Sequence, residues 1–136
     1  SIHGASHHGN IPTDIMDFNK INTYRTGQLA YLLERLQQTM DGDASLLDKT
    51  AVVWGSPMGD PNLHNHRRCP LLLMGKANGV LEGGLHLRAP KGTPMANAFV
   101  SLMQGMGHDM ESFGDSTGTL ALSYPRGTSA AGASGA

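Results

Sequence analysis

The sequence predicts an α/β layer structure, and three observations carry the prediction. Residues 14–40 place apolar side chains at spacings of three and four. Two short apolar runs, residues 50–55 and 70–74, are bracketed by turn residues and read as buried strands. A second, shorter helical pattern opens at Thr93-Pro94.

The first helix is expected from about Asp14 to Met40, with Thr13 or Asp14 as N-cap after Pro12. Ile21, Tyr24, Gln28, Leu32 and Leu36 form its apolar stripe, widened by Leu29, Leu33 and Met40. Lys20, Arg25, Glu34, Arg35 and Gln38 form the opposite face. Such a helix would run about 40 Å, long for a small domain. Ahead of it, Gly4 and Gly9 argue against stable helix in the first twelve residues. Asp41-Gly42-Asp43 is a turn, and Leu46 to Lys49 a connector. Leu85 to Arg88 is expected as a short edge strand. Met95, Ala98, Phe99, Leu102, Met103 and Met106 face inward on the second helix, which Gly107 ends. Few strands are evident for a complete sheet, so the chain reads as the terminal portion of a larger α/β fold.

A length of 136 residues suits one domain. That domain is expected over residues 1–124, with a Gly/Ala/Ser/Thr tail over residues 125–136 that cannot build a core. Charged residues are 15%, against about 25% in typical soluble domains, so part of the surface is expected to be covered by another chain or copy. A homo-oligomer, or a partner chain over an exposed apolar face, follows. The net charge of −1 lacks the basic footprint that nucleic acid requires. No apolar run is long enough to cross a bilayer. One cysteine, Cys69, excludes an intrachain disulfide, and before Pro70 it reads as a small buried hydrophobe.

Two histidine clusters are the candidate chemistry. The first is His3, His7 and His8 around Ser6. Imidazole is the commonest metal ligand, and several on one short loop can converge on an ion; a solvated His-rich terminus is the competing reading. The second is Asp60, His64 and His66, in the loop that follows the first strand. Ligands of open α/β sheets bind beyond the carboxyl ends of strands, and Asp60 would add an oxygen donor. The competing reading is a solvated loop whose Asn and Asp make turns. Asp115-Ser116 in Gly-Asp-Ser-Thr-Gly is better explained as an Asx-turn than as part of a catalytic triad.

His3-Gly4-Ala5-Ser6-His7-His8 resembles the signature of the HXXSHH family of exported bacterial proteins of unknown function. The similarity runs on through Leu46-Leu47-Asp48, Val52-Val53-Trp54-Gly55-Ser56, the loop from Met58 to His66, Pro70 to Gly75, and Phe113 to Gly118. The resemblance implies the C-terminal part of a longer, exported protein. The family is distantly similar to the alkaline-phosphatase and sulfatase superfamily, which implies a C-terminal segment of an alkaline-phosphatase-like fold, one long helix on a small mixed sheet. A metal-dependent phosphate or sulfate ester hydrolase would hold zinc, manganese or calcium with some of His3, His7, His8, Asp60, His64 and His66. Pro57-Met58 stands after Ser56 where the superfamily has Asp and His ligands, which points to a degenerate enzyme or a non-catalytic binding module. No catalytic residue is assigned.

Overall fold

A computed structural model describes residues 1–122, so the expected tail lies outside the described residues. The elements run α1 (Ile2–Ser6), α2 (Pro12–Gln38), β1 (Met40–Asp41), β2 (Ala44–Ser45), α3 (Leu46–Lys49), β3 (Val52–Gly55), β4 (Leu71–Met74), a 3-10 turn (Ala77–Gly79) and α4 (Ala96–Gly105). Helix and strand are both present, as an α/β fold requires. The described residues fall into two compact units, one spanning Ser1–Gly75 and the other beginning at Lys76.

In the first unit, α1 forms despite Gly4. Ser1 caps it, its hydroxyl accepting from the Gly4 N–H at 3.3 Å. That side chain satisfies one of the free donors that a single helical turn otherwise leaves bare. The long helix forms as expected but starts two residues earlier, with Ile11 as N-cap and Pro12 in the first turn, where a missing N–H costs nothing. Asp14 lies in that turn and complements the helix dipole. The chain leaves α2 at Thr39, whose N–H and hydroxyl both donate to the Arg35 carbonyl, at 3.1 and 2.8 Å.

The covered face of α2 differs from the expected stripe. Leu29 is buried, and Phe18, Ile21, Leu33 and Leu36 are half-buried. Tyr24 is 68% exposed and Leu32 46%. Two overlapping stripes satisfy the helical period here, and what packs on them decides which is covered.

After α2 the chain turns through the β1–β2 hairpin at Gly42, where φ is +68°. Lys49 holds the hairpin, its ammonium on the Asp41 carbonyl and carboxylate at 2.6 and 2.9 Å. The expected connector is α3, started by a capping box between Ser45 and Asp48. Strands β3 and β4 pair antiparallel in the register Val52↔Met74, Val53↔Leu73, Trp54↔Leu72 and Gly55↔Leu71. The expected mixed sheet is therefore two antiparallel pairs among the described residues. The strands are less buried than their apolar runs suggest, since Val53 and Leu72 remain exposed. Helix α2 faces β3 across an open groove of about 420 Å³, lined by Arg25, Gln28, Leu29, Leu32, Val52, Val53 and Trp54. Arg25 reaches over the Trp54 ring at 6.0 Å from its centroid, the outer limit of a cation–π contact.

The second unit is built on α4, which buries Ala96, Asn97, Ala98, Val100 and Leu102. Ala77 and Leu81 are buried in the same unit. The helix starts just after Thr93-Pro94 and stops as expected at Gly107. There the His108 N–H donates to the Met103 carbonyl and the Gly107 N–H to that of Gln104, both at 3.0 Å, a Schellman closure with Gly107 at φ +89°. Buried Asn97 clamps the segment that follows. Its side chain accepts from the Thr117 N–H at 2.9 Å and donates to the Thr117 hydroxyl at 3.3 Å. The Ser116 N–H donates to the Phe113 carbonyl at 3.0 Å and the Ser116 hydroxyl accepts from the Phe113 N–H at 2.8 Å. The Gly-Asp-Ser-Thr-Gly motif is therefore a turn, but one closed by Ser116 rather than the expected Asx-turn. Leu85 to Arg88 is irregular rather than an edge strand. Gly83 and Gly84, at φ +77° and +68°, turn the chain just before it.

Candidate metal centre

Helix α1 sets His3 and His7 four residues apart, so the rings meet with centroids 4.8 Å apart. Ser6, between them in sequence, is buried and donates its hydroxyl to the His3 carbonyl at 2.7 Å. That bond stiffens the turn.

The other half of the site is the loop between β3 and β4. Asp60 Oδ1 accepts from the Asn62 and Leu63 N–H groups at 3.0 and 3.4 Å. Asp60 and Asn65 also pair through their backbones, the Asn65 N–H donating to the Asp60 carbonyl at 2.8 Å. Gly59 fits because a side chain there would run into the Arg67 carbonyl. The closed loop holds His64 in the left-handed region, φ +51°.

The two clusters meet. His7 Nε2 and His64 Nε2 are 3.1 Å apart across a sequence separation of 57. The two rings stand edge to face with centroids 4.7 Å apart, and His3 stacks towards His64 at 6.4 Å. A second link joins the same segments, the Gly9 N–H donating to Asn62 Oδ1 at 2.9 Å. All three histidines are exposed.

The other candidates go elsewhere. His8 accepts from the Asn10 N–H at Nδ1 (3.1 Å) and leans on Phe18. His66 Nδ1 sits 2.9 Å from the Pro57 carbonyl. Cys69 is half-buried rather than buried, its thiol donating to the same carbonyl at 3.0 Å. Asp60 spends one carboxylate oxygen on the turn. The argument from strand ends also loses its basis, because β3 and β4 are antiparallel and the rule belongs to parallel sheets. Sequence reasoning missed Asn62 and Asn65, which hold the site together. Their place in a Pro- and Gly-punctuated loop marked them only as turn formers.

Two nitrogens on one tetrahedral ion, each about 2.05 Å from it, stand about 3.3 Å apart, with ring centroids about 5 Å apart. The His7–His64 pair fits that spacing, and the three centroid distances bracket it. Among the described residues no group of three or more His, Cys, Asp or Glu is placed so that it could hold a metal ion. The facing pair is His7 and His64; the His3 ring centroid stands 4.8 Å from that of His7 and 6.4 Å from that of His64. An open cavity of about 170 Å³ adjoins His7, lined also by Gly4, Ala5, His8, Asp14 and Asp17. Two carboxylates line it, that of Asp17 paired with the Lys20 ammonium at 2.8 Å. No protein-family model, curated protein or solved structure matches the chain. No helix among the described residues is long and apolar enough to cross a membrane.

Proposed function

We propose that this chain is the metal-binding segment of an exported protein on an alkaline-phosphatase-like scaffold, and that it binds a divalent ion without hydrolysing phosphate or sulfate esters by itself. The observation that carries the reading is the His7–His64 contact, which joins two histidine motifs across the chain at the spacing of two ligands on one ion. The non-catalytic half rests on what surrounds it. Ester hydrolysis of this type needs a poised nucleophile and donors for developing negative charge. Ser6 is bonded to its own helix, Ser56 accepts from the Met58 N–H at 3.1 Å, and Ser116 closes a turn. A phosphate or sulfate ester entering the cavity beside His7 would meet Asp14 and Asp17. The test is calorimetric titration with zinc, manganese and calcium, beside assays on aryl phosphate and aryl sulfate esters. Binding without turnover above that of the free ion is expected. Metal-dependent turnover abolished by His7→Ala or His64→Ala would overturn the non-catalytic reading and establish the hydrolase.

A covering partner belongs to the same proposal. The first unit exposes Tyr24, Leu32, Val53 and Leu72, and Leu29 is its one buried large apolar side chain among the described residues. Large exposed apolar patches mark interaction surfaces. Light scattering is expected to show a dimer or larger assembly, and a stable monomer at high concentration would contradict it.

A further inference from the structure

We infer that the ion is held by three imidazoles, His3, His7 and His64, and that the site therefore takes a borderline transition metal such as zinc or cobalt and excludes calcium, magnesium and manganese. The inference rests on the metal-binding reading and narrows it from six candidate ligands and three candidate metals.

The geometry selects the ligands. His7 and His64 present facing Nε2 atoms, and the His3 ring stands beside His7 at 4.8 Å and 6.4 Å from His64, centroid to centroid. His3 is exposed, so turning its ring towards the pair displaces no core packing. The remaining three candidates are tied down by their neighbours. Asp60 caps its own loop, His66 is held at the Pro57 carbonyl, and His8 packs on Phe18. A set made only of neutral nitrogens offers no oxygen donor. Calcium takes six to eight oxygens and magnesium keeps an octahedral oxygen shell, whereas imidazole suits zinc, copper, nickel and cobalt. Asp14, beside His7, favours the approach of a cation without joining the set, whereas Asp17 is already paired with Lys20 at 2.8 Å.

The same set makes the ion a clasp. Among the described residues, the hydrogen bonds joining residues 1–10 to the 57–66 loop are His7–His64 and Gly9–Asn62, both exposed. Exposed hydrogen bonds contribute little net stability. An ion bonded to His3 and His7 on one side and His64 on the other replaces that weak link with coordinate bonds.

Visible absorption of the cobalt-loaded full chain tests this. Cobalt alone should give the intense bands of a tetrahedral site, displaced by stoichiometric zinc and untouched by excess calcium or manganese. His3→Ala, His7→Ala and His64→Asn should each weaken cobalt binding about 100-fold. Asn tolerates the left-handed backbone at residue 64, and circular dichroism checks that each variant is folded. Asp60→Asn, His8→Ala and His66→Ala should change affinity less than about tenfold, the lower end of the effect of removing an outer-shell partner. Zinc, but not calcium, should slow hydrogen exchange at the Gly9 amide. An ion that binds but depends on Asp60 or His66, or that calcium displaces, overturns this ligand set and leaves the metal-binding reading standing. No binding of any ion overturns both.

Discussion

Gly75→Ala is expected to unfold the Ser1–Gly75 unit or to destabilise it by about 3 kcal/mol or more. Gly75 ends β4 with φ +85°, a conformation that side chains rarely adopt. A Cβ there would also run into the Thr50 carbonyl oxygen and lie 2.8 Å from that of Leu47. Both obstacles are backbone, so no rotamer change relieves them. They belong to the residues around α3 that lead into β3, so yielding would pull β3 out of register with β4. A two-stranded pair has little reserve stability with which to absorb that strain. Chemical denaturation followed by far-UV circular dichroism measures the effect. An unchanged midpoint would show that the backbone at Gly75 relaxes freely.

Val100→Asp is expected to be as severe in the second unit, costing about 4 kcal/mol or more. Val100 is the one large side chain with no solvent exposure among the described residues. It sits at the middle of α4, with Ala96, Ala98 and Leu102 buried on the same helix. A carboxylate there loses its hydration and gains no partner, because the polar groups nearest in sequence are engaged. Asn97 is bound to Thr117, and the Ser101 hydroxyl donates to the Asn97 carbonyl at 3.0 Å while accepting from the Leu120 N–H at 2.7 Å. Hydrogen exchange should show loss of protection along α4. Retained protection with Asp in place would mean that the helix is not packed as described.

Several elements were legible because local chemistry decides them alone. Pro12 ahead of a long run of helix formers gives α2, and Gly107 stops α4 because its left-handed turn lets two N–H groups cap the last carbonyls. Gly and Pro around two apolar runs mark β3 and β4. The two histidine clusters were expected to meet on two grounds, their density and the place of the second beyond a strand's carboxyl end; His7 and His64 do meet, although the second ground fails in an antiparallel pair. Other features depend on partners that a linear reading cannot supply. Leu85 and Leu87 alternate like a strand, yet among the described residues no strand pairs with them. Tyr24 and Leu32 fit the helical period as well as Leu29 and Leu33 do, and only packing tells them apart. Asp60 illustrates the same limit within the site. A carboxylate two residues before a backbone N–H can close a turn or bind an ion, and its sequence context is the same in both cases.

The left-handed backbone at His64 separates two kinds of selection on one position. Folding of the loop asks only for a residue that accepts a positive φ, a class that Gly, Asn, Asp and His share and that β-branched residues leave. Ion binding asks for an imidazole. Under neutral drift with metal binding unselected, residue 64 would wander among Gly, Asn and Asp while Val, Ile and Thr stayed excluded. Histidine is the one member of the permitted set that ligates through a ring nitrogen, so its retention in a mutational library grown under zinc selection would record the function, and the missing β-branched residues would record the fold.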